Sequence, residues 1–278
     1  FTWNNGYTYK NSIANGCLFH LAARLYRYTG EELYLEVAEK VYEWMWGVGF
    51  FSEDSDGFII YDGAEDTTNC TDLTVHKWSY TYGIFMAGSA YLYNATGDEK
   101  WRTATTQIVD VSSYFFNNSI MTETTCATSN QCNTDQRSFR SFSRCLGLTA
   151  VLVPDTNTKI MNWLTTSAQA AASSCSGGDD GITCGQNWAF GGWDGYYGLG
   201  EQMSALECIM SLITTQHDPL TPSTGGSDVG SDVSAGNNTN ARTNVNEITV
   251  TSKDKAGAAV LTVVVLGSML GGLVWMLL

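Results

Sequence analysis

The sequence predicts an all-α chain in which helical hairpins follow one another around a toroid. Three observations carry this prediction: one stretch of sequence occurs twice, apolar residues recur at helical spacing around each copy, and strand signals are sparse.

The first copy, "NGCLFHLAARLYRYTGEELYL" (Asn15 to Leu35), aligns without gaps on "YGIFMAGSAYLYNATGDEKWR" (Tyr82 to Arg102), 67 residues further on. Gly16 and Gly83, Ala23 and Ala90, Leu25 and Leu92, and Tyr26 and Tyr93 coincide, as do the Thr-Gly pairs at Thr29 and Thr96. Before the first Thr-Gly, Cys17, Leu18, Leu21, Leu25 and Tyr28 share a helical face; after it, Leu33, Val37, Val41, Trp44 and Met45 do the same. Two helices so closely joined must run antiparallel. Thr29 with Glu32, and Thr96 with Glu99, read as capping boxes that begin each second helix, the hydroxyl accepting from one amide and the carboxylate returning to the cap. A third, looser hairpin is expected over Gln136 to Val153 and Asn157 to Ser173, broken near Pro154, with a seventh helix over Glu201 to Thr214. Three and a half hairpins are part of a ring of six, so the toroid is expected to be incomplete in this chain.

The helical region is expected to occupy residues 1–215 and a Ser/Thr/Gly/Asn-rich stalk residues 216–255. Residues 256–278, "AGAAVLTVVVLGSMLGGLVWMLL", are uncharged and about the length that crosses a bilayer. No basic residue follows Leu278, which favours a GPI signal, attached between Ser234 and Asn246, over a retained membrane span. Phe1 is not a methionine and no basic-then-apolar leader follows it, so the chain reads as the C-terminal portion of a longer secreted protein.

A net charge of -14, from 28 acidic against 14 basic residues, argues against nucleic acid as a partner, because phosphate binding needs Lys and Arg. Sequons at Asn69, Asn94, Asn117 and Asn237, together with eight cysteines, point to an oxidising, glycosylating route to the cell surface. Cys126 with Cys132, and Cys175 with Cys184, are close enough in sequence for local disulfides. Cys17 and Cys70 could pin a long loop, and Cys145 and Cys208 could pair or remain buried thiols. There is no C-x-x-C and the three histidines are scattered, so neither a metal nor a cofactor is expected. A G-x-S-x-G elbow, a P-loop lysine and a dinucleotide fingerprint are all absent from the sequence. The chain is expected to be monomeric.

Carboxylates set among aromatics and amides remain, and that mixture suits a sugar: ring faces stack on C–H surfaces, while amides and acids bind hydroxyls. The opening loop places Trp3, Tyr7 and Tyr9 beside Asn4, Asn5, Asn11 and Asn15, with Asn11 and Asn15 one helical turn apart. Tyr80 in "HKWSYTYG", Asp135 and Gln136 in "CNTDQRSFR", and Trp193 and Asp194 in "GGWDGYYGLGEQ" each lie at or just ahead of a predicted helix. Such loops would ring one mouth of a toroid. Helix capping is the alternative for Asn11 and Asn15, a cap or turn for Asp135 and Asp194, and a helix-dipole role for Glu201. Asp179 and Asp180 are adjacent acids between two cysteines, but "SGGDDG" offers no apolar wall to raise one pKa for acid catalysis.

"YKNSIANG", "LAARLYRYTG", "YDG", "NCTDL", "CNTDQRSF", "SCSGGDDG" and "GGWDGYYGLGEQMSALE" occur in this order. Over Phe1 to about Thr215 the chain thus resembles the fungal GPI-anchored members of glycoside hydrolase family 76. The resemblance implies an (α/α)6 barrel and a retaining endo-α-1,6-mannanase or transglycosylase, working on cell-wall mannan or on the mannose core of GPI glycans. It also implies that the catalytic pair, adjacent aspartates in an Asn-Asp-Asp motif, lies upstream of Phe1, and that Asp179 and Asp180 take no part in catalysis. Two departures stand out. Thr81 occupies a position where an asparagine is expected, which questions a substrate contact there, and Cys145 and Cys208 replace residues that are usually apolar. The alternative function is a wall protein that binds mannan without cleaving it.

Overall fold

The computed structural model describes residues 1–2, 4–127, 132, 140–216, 219–221 and 251–277, with side chains left undescribed at 140 and 269–277. The chain divides into two units, Phe1–Gly226 and Ser227–Leu278.

In the first unit, four helices pack side by side in chain order: α1 (Ser12–Thr29), α3 (Ser79–Thr96), α6 (Arg140–Leu152) and α8 (Leu199–Met210). Three others back them: α2 (Glu32–Gly47) covers α1, α4 (Glu99–Val111) covers α3, and α7 (Asn157–Ser174) lies across α6 and α8. This alternation of inner and outer helices is an arc of an α/α toroid, as expected. The helix α5 (Thr124–Ala127) is a single turn. Burial follows position. Inner α3, with neighbours on three sides, buries residues around its whole circumference, whereas outer α2 buries only Ala38, Tyr42 and Met45.

The glycine of the sequence repeat is a packing device. A Cβ on Gly16 would lie 2.6 Å from Ile84 and 2.9 Å from Phe85 of α3, and one on Gly83 would lie 3.1 Å from Phe142 and 3.2 Å from Cys145 of α6. At the same place in each hairpin, the missing side chain lets an inner helix approach the next.

The Thr-Gly pairs act differently from the capping boxes expected of them. Gly30 has φ 73° and donates its N–H to Tyr26 O, while the Thr29 hydroxyl donates to Leu25 O and accepts from Glu31 N. Gly97 and Thr96 repeat this arrangement. Each pair therefore closes a first helix, because glycine tolerates the left-handed C-terminal position and threonine bonds back one turn. The second helices begin at Glu31, without a side-chain cap, and at Asp98, whose carboxylate accepts from Lys100 N at 2.9 Å.

Short strands join the outer helices to the next inner ones. β1 (Tyr9–Asn11) precedes α1; β2 (Phe51–Asp54), β3 (Gly57–Ile60), β4 (Gly63–Glu65) and β5 (Leu73–Thr74) lie between α2 and α3. β6 (Phe116–Asn117) and β7 (Ile120–Met121) follow α4, and β8 (Cys175–Gly177) and β9 (Thr183–Cys184) follow α7. The sheet of order β1-β4-β5 is antiparallel, with Tyr9 opposite Glu65 and Asn11 opposite Gly63. Long connections thus gather at the end where the inner helices begin. At the other end Gly30 and Glu31, Gly97 and Asp98, and residues 153–156 suffice.

Both local disulfides, Cys126–Cys132 and Cys175–Cys184, form as expected. The longer-range bridges do not: Cys17, Cys70, Cys145 and Cys208 are thiols. Cys17 is exposed on α1, while the turn after β4 holds Cys70 through its N–H to Glu65 O. Cys145 lies against Gly83 of α3, whereas the Cys208 thiol reaches Leu164 O of α7, so the two face different neighbours.

In the second unit α9 (Ser252–Leu277) opens with a reciprocal box: Thr251 N donates to the Asp254 carboxylate at 2.8 Å and Asp254 N to the Thr251 hydroxyl at 3.3 Å. Among the described residues no helix is long and apolar enough to cross a membrane. The hydrophobic segment 256–278, expected to be a GPI signal or a membrane span, runs on through residues 269–278, whose side chains lie outside that set.

Candidate functional site

The site is the end of the arc where the inner helices begin. At α1, Asn11 is the N-cap, accepting from Ala14 N at 3.1 Å. The buried Asn15 amide donates to Asn11 O at 2.7 Å and Phe1 O at 3.3 Å. Asn11 thus takes the capping alternative that the sequence left open, whereas Asn15 caps nothing and bonds the opening loop to the helix instead. The Tyr9 hydroxyl donates to the Asp62 carboxylate at 2.5 Å; burial first, and this bond second, raise its pKa above the ordinary tyrosine value. Tyr7 is 55% exposed on the same loop. Trp3, Asp135 and Gln136 lie outside the described residues, as does the sequon residue Asn237; Asn69, Asn94 and Asn117 are exposed.

At α3 the N-cap residue Trp78 makes no side-chain cap bond. Glu123, 44 residues later, supplies the acceptor: its carboxylate takes the Ser79 N–H at 3.1 Å and the Ser79 hydroxyl at 2.5 Å. Trp78 and Tyr80 are stacked, with ring centroids 6.3 Å apart and 9° between planes, and they pack on Cys126 and Cys132. Thr81, the departure position, is buried with no partner for its hydroxyl among the described residues.

Ahead of α8, the Asp194 carboxylate accepts from the backbone N–H groups of Gln186 at 3.2 Å, Asn187 at 2.6 Å and Tyr196 at 3.1 Å. It organises a turn while lining the mouth. Trp193 donates its indole N–H to Tyr196 O at 2.8 Å, and its ring lies against the Gly177 backbone. A Cβ on Gly177 would come within 2.1 Å of that ring. Gly177→Ala is therefore expected to expel the indole and raise amide exchange across residues 191–196 by tenfold or more, measurable by mass spectrometry. Glu201, in the first turn of α8, is buried.

Between the Glu123 region and the loop ahead of α8 lies a cavity of about 410 Å³, lined among others by Glu123, Gln186, Asn187, Phe190, Asp194 and Tyr196; the α1 residues do not line it. Phe190 is 64% exposed and offers its ring at the rim. Asp179 and Asp180 are exposed and do not line it; Asp180 caps its own turn by accepting from Ile182 N at 3.2 Å. Replacing both with asparagine is expected to change stability by less than about 0.5 kcal/mol in a urea titration.

Sequence reasoning missed Glu123. It is a lone acid in "MTETTC", and nothing local marks it as buried. At 1% exposure, burial pushes its pKa up to about 7, while the Ser79 bonds hold it back. The unfolded chain loses this proton near pH 4.5 and the folded chain near 7. Its contribution to stability is thus whole below pH 4.5 and lost as pH rises through 7. Glu123→Gln is expected to remove a decline of up to about 3 kcal/mol between pH 4.5 and 8, read from urea midpoints.

The family model for glycosyl hydrolase family 76 matches residues 1–224. Mannan endo-1,6-alpha-mannosidase DFG5 of Candida albicans is 60% identical over 281 residues, covering 100% of this chain and 62% of that protein. Mannan endo-1,6-alpha-mannosidase DCW1 of Saccharomyces cerevisiae is 50% identical over 278 residues, covering 99% of this chain and 61% of that protein. The chain spans less than two thirds of the length of either relative. Among solved structures, Dfg5 from Chaetomium thermophilum in complex with glucosamine superposes with a TM-score of 0.73 at 34% identity, over 84% of this chain and 58% of that one. With the repeated hairpins, the long-loop mouth and a match that covers the whole arc, the chain belongs to glycosyl hydrolase family 76.

Proposed function

We propose that the protein of which this chain is part is an endo-α-1,6-mannanase or transglycosylase, acting with retention on cell-wall mannan or on the mannose core of GPI glycans. The observation that carries this reading is the 60% identity to a mannan endo-1,6-alpha-mannosidase along the entire chain. The mouth fits a neutral, hydroxyl-rich ligand: exposed Tyr7 and Phe190 and half-buried Tyr80, backed by buried Trp78, supply aromatic surface, and Gln186, Asn187 and Asp194 offer polar groups.

In this scheme two adjacent aspartates, upstream of Phe1, attack and protonate the glycosidic bond, and the arc supplies the binding wall. Apolar Leu21 of α1 and Leu206 and Met210 of α8 are exposed, and further helices of the ring would cover them. The stalk and tail would hold the protein at the cell surface through a GPI anchor, with N-glycans on the exposed sequons.

Incubation of the intact protein with α-1,6-mannotetraose is expected to yield shorter products by hydrolysis or longer ones by transfer. Chains left unchanged in both directions overturn the enzymatic reading. Mannan binding without turnover leaves the wall-binding alternative in its place.

A further inference from the structure

The acid that caps α3 has no role in the catalytic scheme, yet three ties converge on it. Its carboxylate holds both the N–H and the hydroxyl of Ser79. Its carbonyl starts α5, accepting from Cys126 N at 3.2 Å and Ala127 N at 2.9 Å, and so anchors the disulfide segment. Two residues on, the Thr125 hydroxyl donates to Lys77 O at 2.5 Å. Residues 123–127 are thereby clasped to residues 77–80, with Cys126 and its disulfide partner Cys132 against Trp78 and Tyr80.

We propose that Glu123 is a positioning residue for glycan binding, tying residues 123–127, and through Cys126 its disulfide partner Cys132, to the start of α3 and so holding the Trp78–Tyr80 pair against the cysteines beside the 410 Å³ cavity that Glu123 and Cys132 line. The ligand class rests on the mannan reading above.

The clasp carries a chemical signature. Protonated, the carboxyl accepts from Ser79 N and donates to the Ser79 hydroxyl, so both its oxygens are satisfied. Ionised, it is a buried charge with two neutral donors and, among the described residues, no cation paired with it. The charged groups nearby do not relieve it: Asp194 shares the cavity, and the Lys77 ammonium lies over the Tyr114 ring, 5.3 Å from its centroid. Among the described residues, His76 lies 5.8 Å from the Trp78 ring, Tyr80 stacks on that ring and Tyr196 lines the cavity. A neutral glycan that fills the cavity replaces the water there that screens the buried carboxyl and so penalises its charged form further. Binding is then coupled to proton uptake, and affinity falls as pH rises through 7, tenfold for each unit by which the ligand raises the carboxyl's pKa.

The test is calorimetric titration of the intact protein with α-1,6-mannotriose at pH 5.5 and 8.5, for wild type, Glu123→Gln and Glu123→Ala, with a melting curve for each. Wild type is expected to bind up to about tenfold more weakly at the higher pH. Glu123→Gln, which keeps an acceptor for Ser79 N and a donor for its hydroxyl, is expected to bind equally at both and to retain His76 as a control. Glu123→Ala is expected to lose about fivefold or more at both. A pH-independent wild type, a Glu123→Gln variant that follows the wild-type profile, or a folded Glu123→Ala variant with undiminished affinity overturns the assignment alone. Wild type that binds no mannotriose at either pH overturns the mannan reading and this assignment with it.

Discussion

Phe19→Ala is expected to cost the helical arc about 3 to 5 kcal/mol, a large part of the stability of a domain of ordinary size. Phe19 sits on α1 with none of its surface exposed, and its ring lies 5.7 Å from Tyr42 of α2, 5.5 Å from Phe85 of α3 and 5.9 Å from Trp101 of α4. Four helices meet on one side chain. Removing it empties a space whose walls are themselves buried rings, and Gly88 of α3, already in contact with the Phe19 ring, carries no side chain to fill it. Urea unfolding of the intact protein measures the effect. A loss below about 1 kcal/mol means that the two hairpins close the gap by moving together.

The second large effect is expected at Gly63. Its Cβ would stand 2.2 Å from Lys10 O and 2.8 Å from the Cα of Asn11, both backbone atoms of β1. No side-chain rotation relieves that contact, so Gly63→Ala must part β4 from β1. The cost is expected to be about 2 to 3 kcal/mol, with faster amide exchange over residues 9–11. The consequence reaches the mouth, because β1 ends on Asn11, the cap of α1, whose carbonyl accepts from the Asn15 amide. Mannotriose affinity should fall with the strand pairing. Unchanged exchange at residues 9–11 would show that the sheet absorbs the methyl group.

Most of the helical arc is legible in the sequence because its signals are periodic and repeated. The duplicated stretch locates α1 with α2 and α3 with α4, and Pro154 separates α6 from α7. The Thr-Gly pairs mark the right junctions but were assigned to the wrong side of them, since threonine followed by glycine satisfies either a closing or an opening helix until the φ of the glycine is known. The sheet of β1, β4 and β5 leaves no trace in the sequence: strands of two or three residues are too short for alternation to show. At the mouth, chemistry was readable and partnership was not. Asn15 and Asp194 were singled out by residue type, yet each spends bonding capacity on backbone groups that only the fold brings near. Glu123 escaped notice because its role depends on a helix start 44 residues away.

The lopsided connections of the arc bear on how such a chain can change over time. Where Gly30 and Glu31, or Gly97 and Asp98, alone turn the chain, one inserted residue that lengthened the following helix would rotate its apolar stripe by about 100° and face it away from its partner. The opposite end has slack, since segments 48–78, 112–139 and 175–198 can lengthen without turning any helix. Differences in length between related chains should therefore collect around the mouth. The rim proposed to meet the ligand is free to diversify while the far end holds the register of the hairpins.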